Sequence, residues 1–593
     1  MTRTLSLAAA PVVWLFAAAT LLAQANPLEV IPDRALGFAV IKDLSDANDR
    51  LTKVTQKMQL PVPDLLTMAK GFLGVDKGLD EKGGLAVALV SGPSGREWEE
   101  SAFCAVVPVT DYKEFIAPFE PEDADAKVTS VTVAGQKMVV GKKGNFAVLA
   151  FGERAAALEQ ILAATKNVTA DVEPLKSWMA DKQLALVVTP AGKKLLFQTI
   201  VAALPDAAQL KKDAGVEEGN ERATAFQNVG EIFGMFKELL VAADDQLTHL
   251  AVGIRIEDNA SLRVAARVLF TPGGKLAAWS KDVKAPEESL LTGVPAGKFA
   301  IAYGGVSAQF SPEAWALISR LGEVGMQVVG LDEEGRKKSM EIAARLQTGK
   351  RFTSGVMGIM RPGDSLFSTA IAIEHVKNAD QQLKGTREMF ELMRTAQKNP
   401  RGDKPLYELN DVKVGDLDAL ELVINIESIT ELSAGGANLG PGAEQVKGLF
   451  GKMFGGEGKI QMYVAKADER NVVTAYSKEQ LVRGIEHVRS GGKGLEDDAD
   501  IAKTAALLPD GAQWVAYVSP QGLVQWVGVF VEAMFGGQIQ LPPFPATEPI
   551  GLAAKVSEIG LDAELVLPDG VVAGIGQYIG VLGQVFQGGA PLP

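Results

Sequence analysis

The chain has one cysteine, Cys104, in 593 residues. One thiol cannot close an internal disulfide, so stability has to come from burial, which a chain this long can supply. Cys104 sits in the strand-like run Phe103-Cys104-Ala105-Val106-Val107. That setting predicts a buried, inert thiol rather than a nucleophile. Histidine is almost as scarce: His249, His375 and His487. None lies in H-E-x-x-H and no two are close in sequence, so no metal is expected, and each reads as a surface or hydrogen-bonded histidine. There is no G-x-S-x-G elbow, no G-x-x-x-x-G-K-[ST] loop, and no G-x-G-x-x-G following a strand and opening a helix. No catalytic residue and no cofactor is therefore expected, although a Ser-His-Asp site assembled across the fold stays open, because triads are defined by geometry. The acidic runs Asp332-Glu333-Glu334 and Glu496-Asp497-Asp498 lack the spacing of a calcium loop and read as solvated surface.

Positive charge is also short. Lys and Arg number 59 against 73 Asp and Glu, a formal net charge of −14. Nucleic acid is excluded as a partner, because a phosphate backbone needs a basic footprint. Adsorption to anionic lipid gains no support either.

What is present begins with a leader. Arg3 supplies a positive start, Leu5 to Leu22 carry no charge, and Ala23-Gln24-Ala25 fits the small-x-small cleavage rule. Residues 1–25 therefore read as a secretory signal peptide, and the protein as periplasmic or extracellular after cleavage near Ala25. The remaining length predicts two to four domains. Apolar residues make up 47% and charged residues 22%, proportions that suit a globular protein with real cores.

One phrase recurs: a turn rich in Pro, Asp, Gly or Ala, then a short apolar strand, then a helix. Its copies are I-P-D-R-A-L-G-F-A-V from Ile31, M-A-D-K-Q-L-A-L-V-V from Met179, V-P-A-G-K-F-A-I-A-Y from Val294 and L-P-D-G-A-Q-W-V-A-Y from Leu508. Recurrence of a structural phrase points to duplication. The halves align further. The strand ending in Thr189-Pro190-Ala191-Gly192 matches the one ending in Ser519-Pro520-Gln521-Gly522, with hydroxyl caps and Pro in the first helical turn. Leu250 to Ile256 parallels Ile550 to Val556, and hairpins follow both. The predicted fold is α+β: two tandem, internally duplicated domains at 27–292 and 293–593. Each should have a mostly antiparallel sheet with helices packed on one face.

Two segments depart from the repeat. The second half carries a Gly-rich insertion at 428–459. Inside it Val446, Leu449, Phe450, Met453 and Phe454 fall at helical i, i+3, i+4, i+7, i+8 spacing. They form a candidate apolar lid or docking helix, beside the plainer expectation of a helix packed on the sheet. The C-terminus, from Val571 onward, has no charge and includes Gly576 and Gly580 in G-x-x-x-G spacing. Its apolar stretch is shorter than the roughly 20 residues of a membrane span and predicts a helix covering the second sheet. Leu541-Pro542-Pro543-Phe544-Pro545 predicts an extended surface loop.

Pro32-Asp33-Arg34-Ala35-Leu36-Gly37-Phe38-Ala39-Val40 after a leader, with Gly-Leu-Asp-Glu-Lys-Gly-Gly-Leu-Ala-Val from Gly78, resembles a family of uncharacterised secreted proteins from planctomycete-type bacteria. The resemblance implies export and a style of fold, and it transfers no catalytic residue. Three functions are consistent with the sequence. The first is an exported, non-catalytic protein that binds an envelope protein or supports the envelope. The second is a carrier of an apolar small molecule or lipid. The third is an enzyme built from dispersed carboxylates. Membrane contact is not expected.

Overall fold

The computed structural model describes residues 26–61, 64–91, 101–151, 155–213, 221–307, 332–360, 365, 367–396, 407–425, 459–535 and 541–587. The leader and the apolar stripe Val446, Leu449, Phe450, Met453 and Phe454 lie outside them. The fold is α+β, with antiparallel strands throughout. The chain forms two compact units. Unit 1 takes Met1–Gln56, Leu60–Leu196 and His249–Ala260; unit 2 takes Lys57–Gln59, Phe197–Thr248 and Ser261–Pro593.

In unit 1 the strands are β1 (Ala35–Ile41), β2 (Leu85–Val90), β3 (Ala102–Pro108), β4 (Val128–Val133), β5 (Gln136–Lys143), β6 (Phe146–Phe151), β7 (Leu184–Val188) and, from His249 onward, β8 (Leu247–Ile256). They pair in the order β4-β5-β6-β3-β2-β1-β7-β8. Burial alternates in β2, β3 and β7, whereas β5 and β6 bury successive residues. Ala86, Ala88, Cys104, Val106, Ala185 and Val187 are fully buried on one face. The other face carries Val87, Leu89, Ala105, Leu184, Val188 and Ile254, all half-buried, and leaves Phe103, Leu186 and Val252 at 56%, 47% and 44% exposure.

Unit 2 contains β9 (Leu262–Phe270), β10 (Phe299–Val306), β11 (Lys350–Gly358), β12 (Ala370–Val376), β13 (Tyr407–Val414), β14 (Leu417–Asn425), β15 (Lys459–Asp468), β16 (Asn471–Ala475), β17 (Trp514–Val518), β18 (Ile550–Ser557) and β19 (Gly560–Leu567). Their order is β13-β14-β15-β16-β12-β11-β10-β17-β18-β19-β9. Strand β9 pairs with β19 over its whole length, and Arg263 and Arg267 sit in ion-pair contact with Glu564 and Asp562 across that ladder. Residues 261–292, expected in the first domain, therefore cluster with the second unit.

The two units share local devices. Each central strand has a register shift at its start, between Ala35 and Gly37 in β1 and between Phe299 and Ile301 in β10. The helices after β7 and β17 start alike. Thr189 Oγ1 accepts from Gly192 N at 3.2 Å and Ser519 Oγ from Gly522 N at 3.1 Å, each capping a free helical N–H. Proline follows at the first helical position. Glycine is required next: a Cβ would lie 1.6 Å from Leu36 O at Gly192 and 2.2 Å from Phe299 O at Gly522. Gln183 and Gln513 each accept from the amide at the far end of the next strand, Ile256 N and Val556 N, both at 2.8 Å.

Helices are not confined to one sheet face. In unit 1, Leu158 and Ile161 of the helix Ala155–Ala163 cover the β5–β6 end from one side. Phe115, Ile116 and Phe119 pack on Val140 and Leu149 from the other. In unit 2, Leu481 and Ile485 of the helix Lys478–Ser490 pack on Ala465 and Val473, while Leu383 and Phe390 of Ala379–Ala396 pack on Val464 and Val472. Val472 and Val473 are both buried as a result, so the alternation that marks a one-sided strand is lost there.

The C-terminal helix Asp569–Gln587 buries Val571 and Val572. Gly576 passes so close to Met58 that a Cβ would lie 1.9 Å from its carbonyl oxygen, and the Tyr578 ring lies tilted against Phe544 with centroids 5.2 Å apart. Phe544, expected in a surface loop, is buried. Among the described residues no helix is long and apolar enough to cross a membrane.

Candidate functional site

Unit 2 contains an apolar cavity of about 670 Å³ at one end of its sheet. Val268 and Phe270 come from β9, Trp514 from β17, and Val556 and Leu561 from the β18–β19 hairpin. Successive partners across the ladder place Val268, Leu561 and Val556 in one row. The roof is the short helix Lys275–Trp279, through Leu276 and Trp279. Gly274 has no side chain to cap that helix. Gln246 supplies the cap, its Oε1 accepting from Lys275 N at 2.7 Å and Leu276 N at 3.3 Å. Gln513 fastens the other side: its amide donates to Val556 O at 3.2 Å and Val283 O at 3.4 Å. Gln347 is the polar residue in a wall that is otherwise apolar. An apolar cleft with a few placed polar groups is the usual form of a small-molecule site.

The groups with catalytic potential stand elsewhere. In unit 2 the fold brings Ser354 of β11 beside His375 of β12. His375 Nε2 lies 3.0 Å from Ser354 Oγ and 3.1 Å from Thr292 O, and Ser354 Oγ donates to Thr292 O at 2.9 Å. A carbonyl oxygen only accepts, so Nε2 carries the hydrogen and has no lone pair with which to activate the hydroxyl. Ser354 is fully buried, and the Phe352 ring stacks on the imidazole at 3.9 Å. Burial drives His375 down to about 4, against the weaker upward pull of its hydrogen bonds to Thr292 and Asn471. The pair is arranged to hold the Thr292 carbonyl and the turn that carries it.

His249, in unit 1, is buried with no hydrogen-bond partner at either ring nitrogen among the described residues. This differs from the hydrogen-bonded histidine expected of an isolated strand residue. Desolvation lowers its pKa, opposed by Asp171 and reinforced by Lys193. His487 is half-buried near the end of its helix, its pKa lowered first by desolvation. Cys104 is fully enclosed, and burial pushes its thiol up to about 12, which removes the thiolate a nucleophile needs. Among the described residues no group of three or more His, Cys, Asp or Glu could hold a metal ion.

The apolar stripe at residues 446–454, the candidate lid or docking helix of the sequence, lies outside the described residues, and the cavity has no comparable local signature. Trp514 was visible in a recurring strand phrase, and Leu276 and Trp279 stand three apart after a Gly-Gly turn. Only their meeting across three segments makes them a site.

No family model and no curated protein matches the chain. Among solved structures, the structure of crystal form I of TP0453 aligns with 42% of this chain and 79% of its own, at 11% identity and a TM-score of 0.20. A score that low carries no argument about fold or function.

Proposed function

We propose that the protein is an exported, non-catalytic binding protein that carries an apolar small molecule in the cavity beneath Leu276 and Trp279. The observation that carries this reading is a half-open apolar cavity of about 670 Å³ lined by Phe270, Trp279, Trp514 and Leu561, with Gln347 at its wall. Two indoles also provide the readout. An apolar ligand entering the cavity shifts tryptophan emission to the blue, and Trp514→Phe removes much of that change. Mass spectrometry of an organic extract from gently purified protein should find a stoichiometric apolar molecule. It should be absent from a Leu561→Arg variant that retains its fold by circular dichroism. An empty wild-type protein whose emission ignores every apolar probe sinks the reading.

A second reading, docking of an envelope protein, has its own support. The helix Leu65–Leu73 in unit 1 is capped at both ends, by Asp64 and by left-handed Gly74, yet buries none of its residues. Leu65, Met68 and Phe72 are exposed, Phe72 at 78%. An apolar helix left this bare is a common form of docking surface. The shared caps, bulges and glutamine contacts of the two units support an internal duplication, which strand-for-strand superposition of the units tests.

A further inference from the structure

We infer that the ligand of the apolar cavity is an anionic amphiphile, its chain against Trp279 and Trp514 and its acidic head in an adjoining cationic cleft. The inference rests on the apolar-ligand reading and names the chemistry of the ligand.

Val306, the last residue of β10, lines both cavities. Its amide donates to Gln513 O at 2.9 Å, and the next amide, Ser307 N, donates to Arg351 O at 3.1 Å. These bonds fix the residue that the two spaces share. The second space, about 630 Å³, is lined by Lys284, Arg351, Lys377 and Arg470 against only Glu287 and Glu288. In a chain of net charge −14, a cleft with twice as many cations as carboxylates runs against the composition. Glu288 is engaged by Arg351, whose guanidinium lies 5.7 Å from the centre of the Phe352 ring. Lys377 Nζ donates to Thr348 O at 3.2 Å. Lys284 and Arg470 are exposed and make no side-chain hydrogen bond or ion pair among the described residues. Two uncommitted cations therefore stand beside the apolar cavity. Lysine and arginine recognise carboxylate and phosphate heads by charge-assisted hydrogen bonds, while an apolar wall accepts the chain. A carboxylate head and a phosphate head share this chemistry.

The test titrates the purified protein with dodecanoate, dodecyl phosphate, dodecanol and inorganic phosphate, read by tryptophan emission and by calorimetry. Dodecanoate or dodecyl phosphate should bind at least tenfold tighter than dodecanol at low ionic strength, and the gap should narrow with salt. The double variant Lys284→Gln/Arg470→Gln should weaken the charged probe about fivefold or more and leave dodecanol unchanged. Equal binding of dodecanol and both anionic probes, or a double variant that binds them as well as wild type, overturns the anionic head while the apolar cavity survives. Inorganic phosphate binding as tightly as dodecyl phosphate overturns the amphiphile and makes the cleft a free-anion site. If no chain-bearing probe binds at all, the apolar-ligand reading fails with it.

Discussion

The two sheets treat the same face differently. In unit 1 the face of Ala39 on β1 continues through Leu186 and Val252 by direct pairing, and it stays bare there. In unit 2 the face of Tyr303 on β10 continues through Ala516 and Leu552, and at the β9 end it is roofed by Leu276 and Trp279. The register shifts and helix caps correspond, so the difference lies in what covers the sheet. An antiparallel sheet with one wet face usually alternates apolar and polar residues. The central strands of unit 1 alternate burial without alternating polarity, so the exposed side of that part of the sheet is apolar. In unit 2 a five-residue helix covers part of the corresponding face and leaves a half-open apolar cleft beneath it.

The largest expected effect tests whether the helix starts are equivalent. Gly192→Ala and Gly522→Ala each put a Cβ into a strand carbonyl, so each should cost about 3 kcal/mol in denaturant unfolding. A harmless change at either site would break the correspondence.

Next is pH. Folding keeps the His375 ring neutral, since its pKa falls from 6.5 to about 4. The unfolded chain binds the extra proton between these values. This contribution to stability is complete above about pH 6.5 and is lost as pH falls toward 4, amounting to about 2–3 kcal/mol. His375→Gln should flatten the stability profile across that window relative to wild type. A profile unchanged by the substitution would contradict the buried neutral ring. His249 is depressed in the same direction, so His249→Gln should act with the same sign.

The caps give a smaller contrast. Thr189→Ala and Ser519→Ala should each cost about 1 kcal/mol. The threonine change should cost more, because Thr189 Oγ1 also donates to Ala35 O at 2.6 Å, a second buried bond that the substitution removes. Equal losses in thermal melts would mean that this second bond contributes nothing.

The smallest effect concerns the bare face. Leu186→Thr and Val252→Thr should change stability by less than about 0.5 kcal/mol, since both side chains are already half in water. The same pair should lower the binding of an apolar dye such as ANS. A large loss of stability would show that the face is covered in solution.

Much of the framework was legible in the chain. The Thr-Pro-x-Gly and Ser-Pro-x-Gly turns, the hairpins and the helix stripes are local patterns, and local sterics and hydrogen bonding decide them. The phrase alignment nonetheless pairs Leu36 with Phe299, whereas the cap bonds from Thr189 N and Ser519 N pair Leu36 with Ala300. Both strands carry the register shift at the same point, so the displacement arises in the lead-in: Leu36 stands four positions after Pro32 and Ala300 five after Pro295, a difference that an ungapped match of the phrases hides. The helices on both faces of unit 2 were hidden for a related reason: Val472 and Val473 are apolar neighbours, and their opposite orientations become informative only when both sides are seen to be covered.

Composition and spacing alone established the scarcity of histidine and thiols, the acidic net charge, the α+β class and the chemistry of each helix start. These follow from residues close together in the chain. The pairing of β9 with β19, the neutral ring of His375 against Thr292, and the cavity bounded by Phe270, Trp279, Trp514 and Leu561 were decided by the tertiary structure. Each joins segments tens to hundreds of residues apart. Their meeting depends on strand order and on which face is covered, both set by the packing of the whole unit.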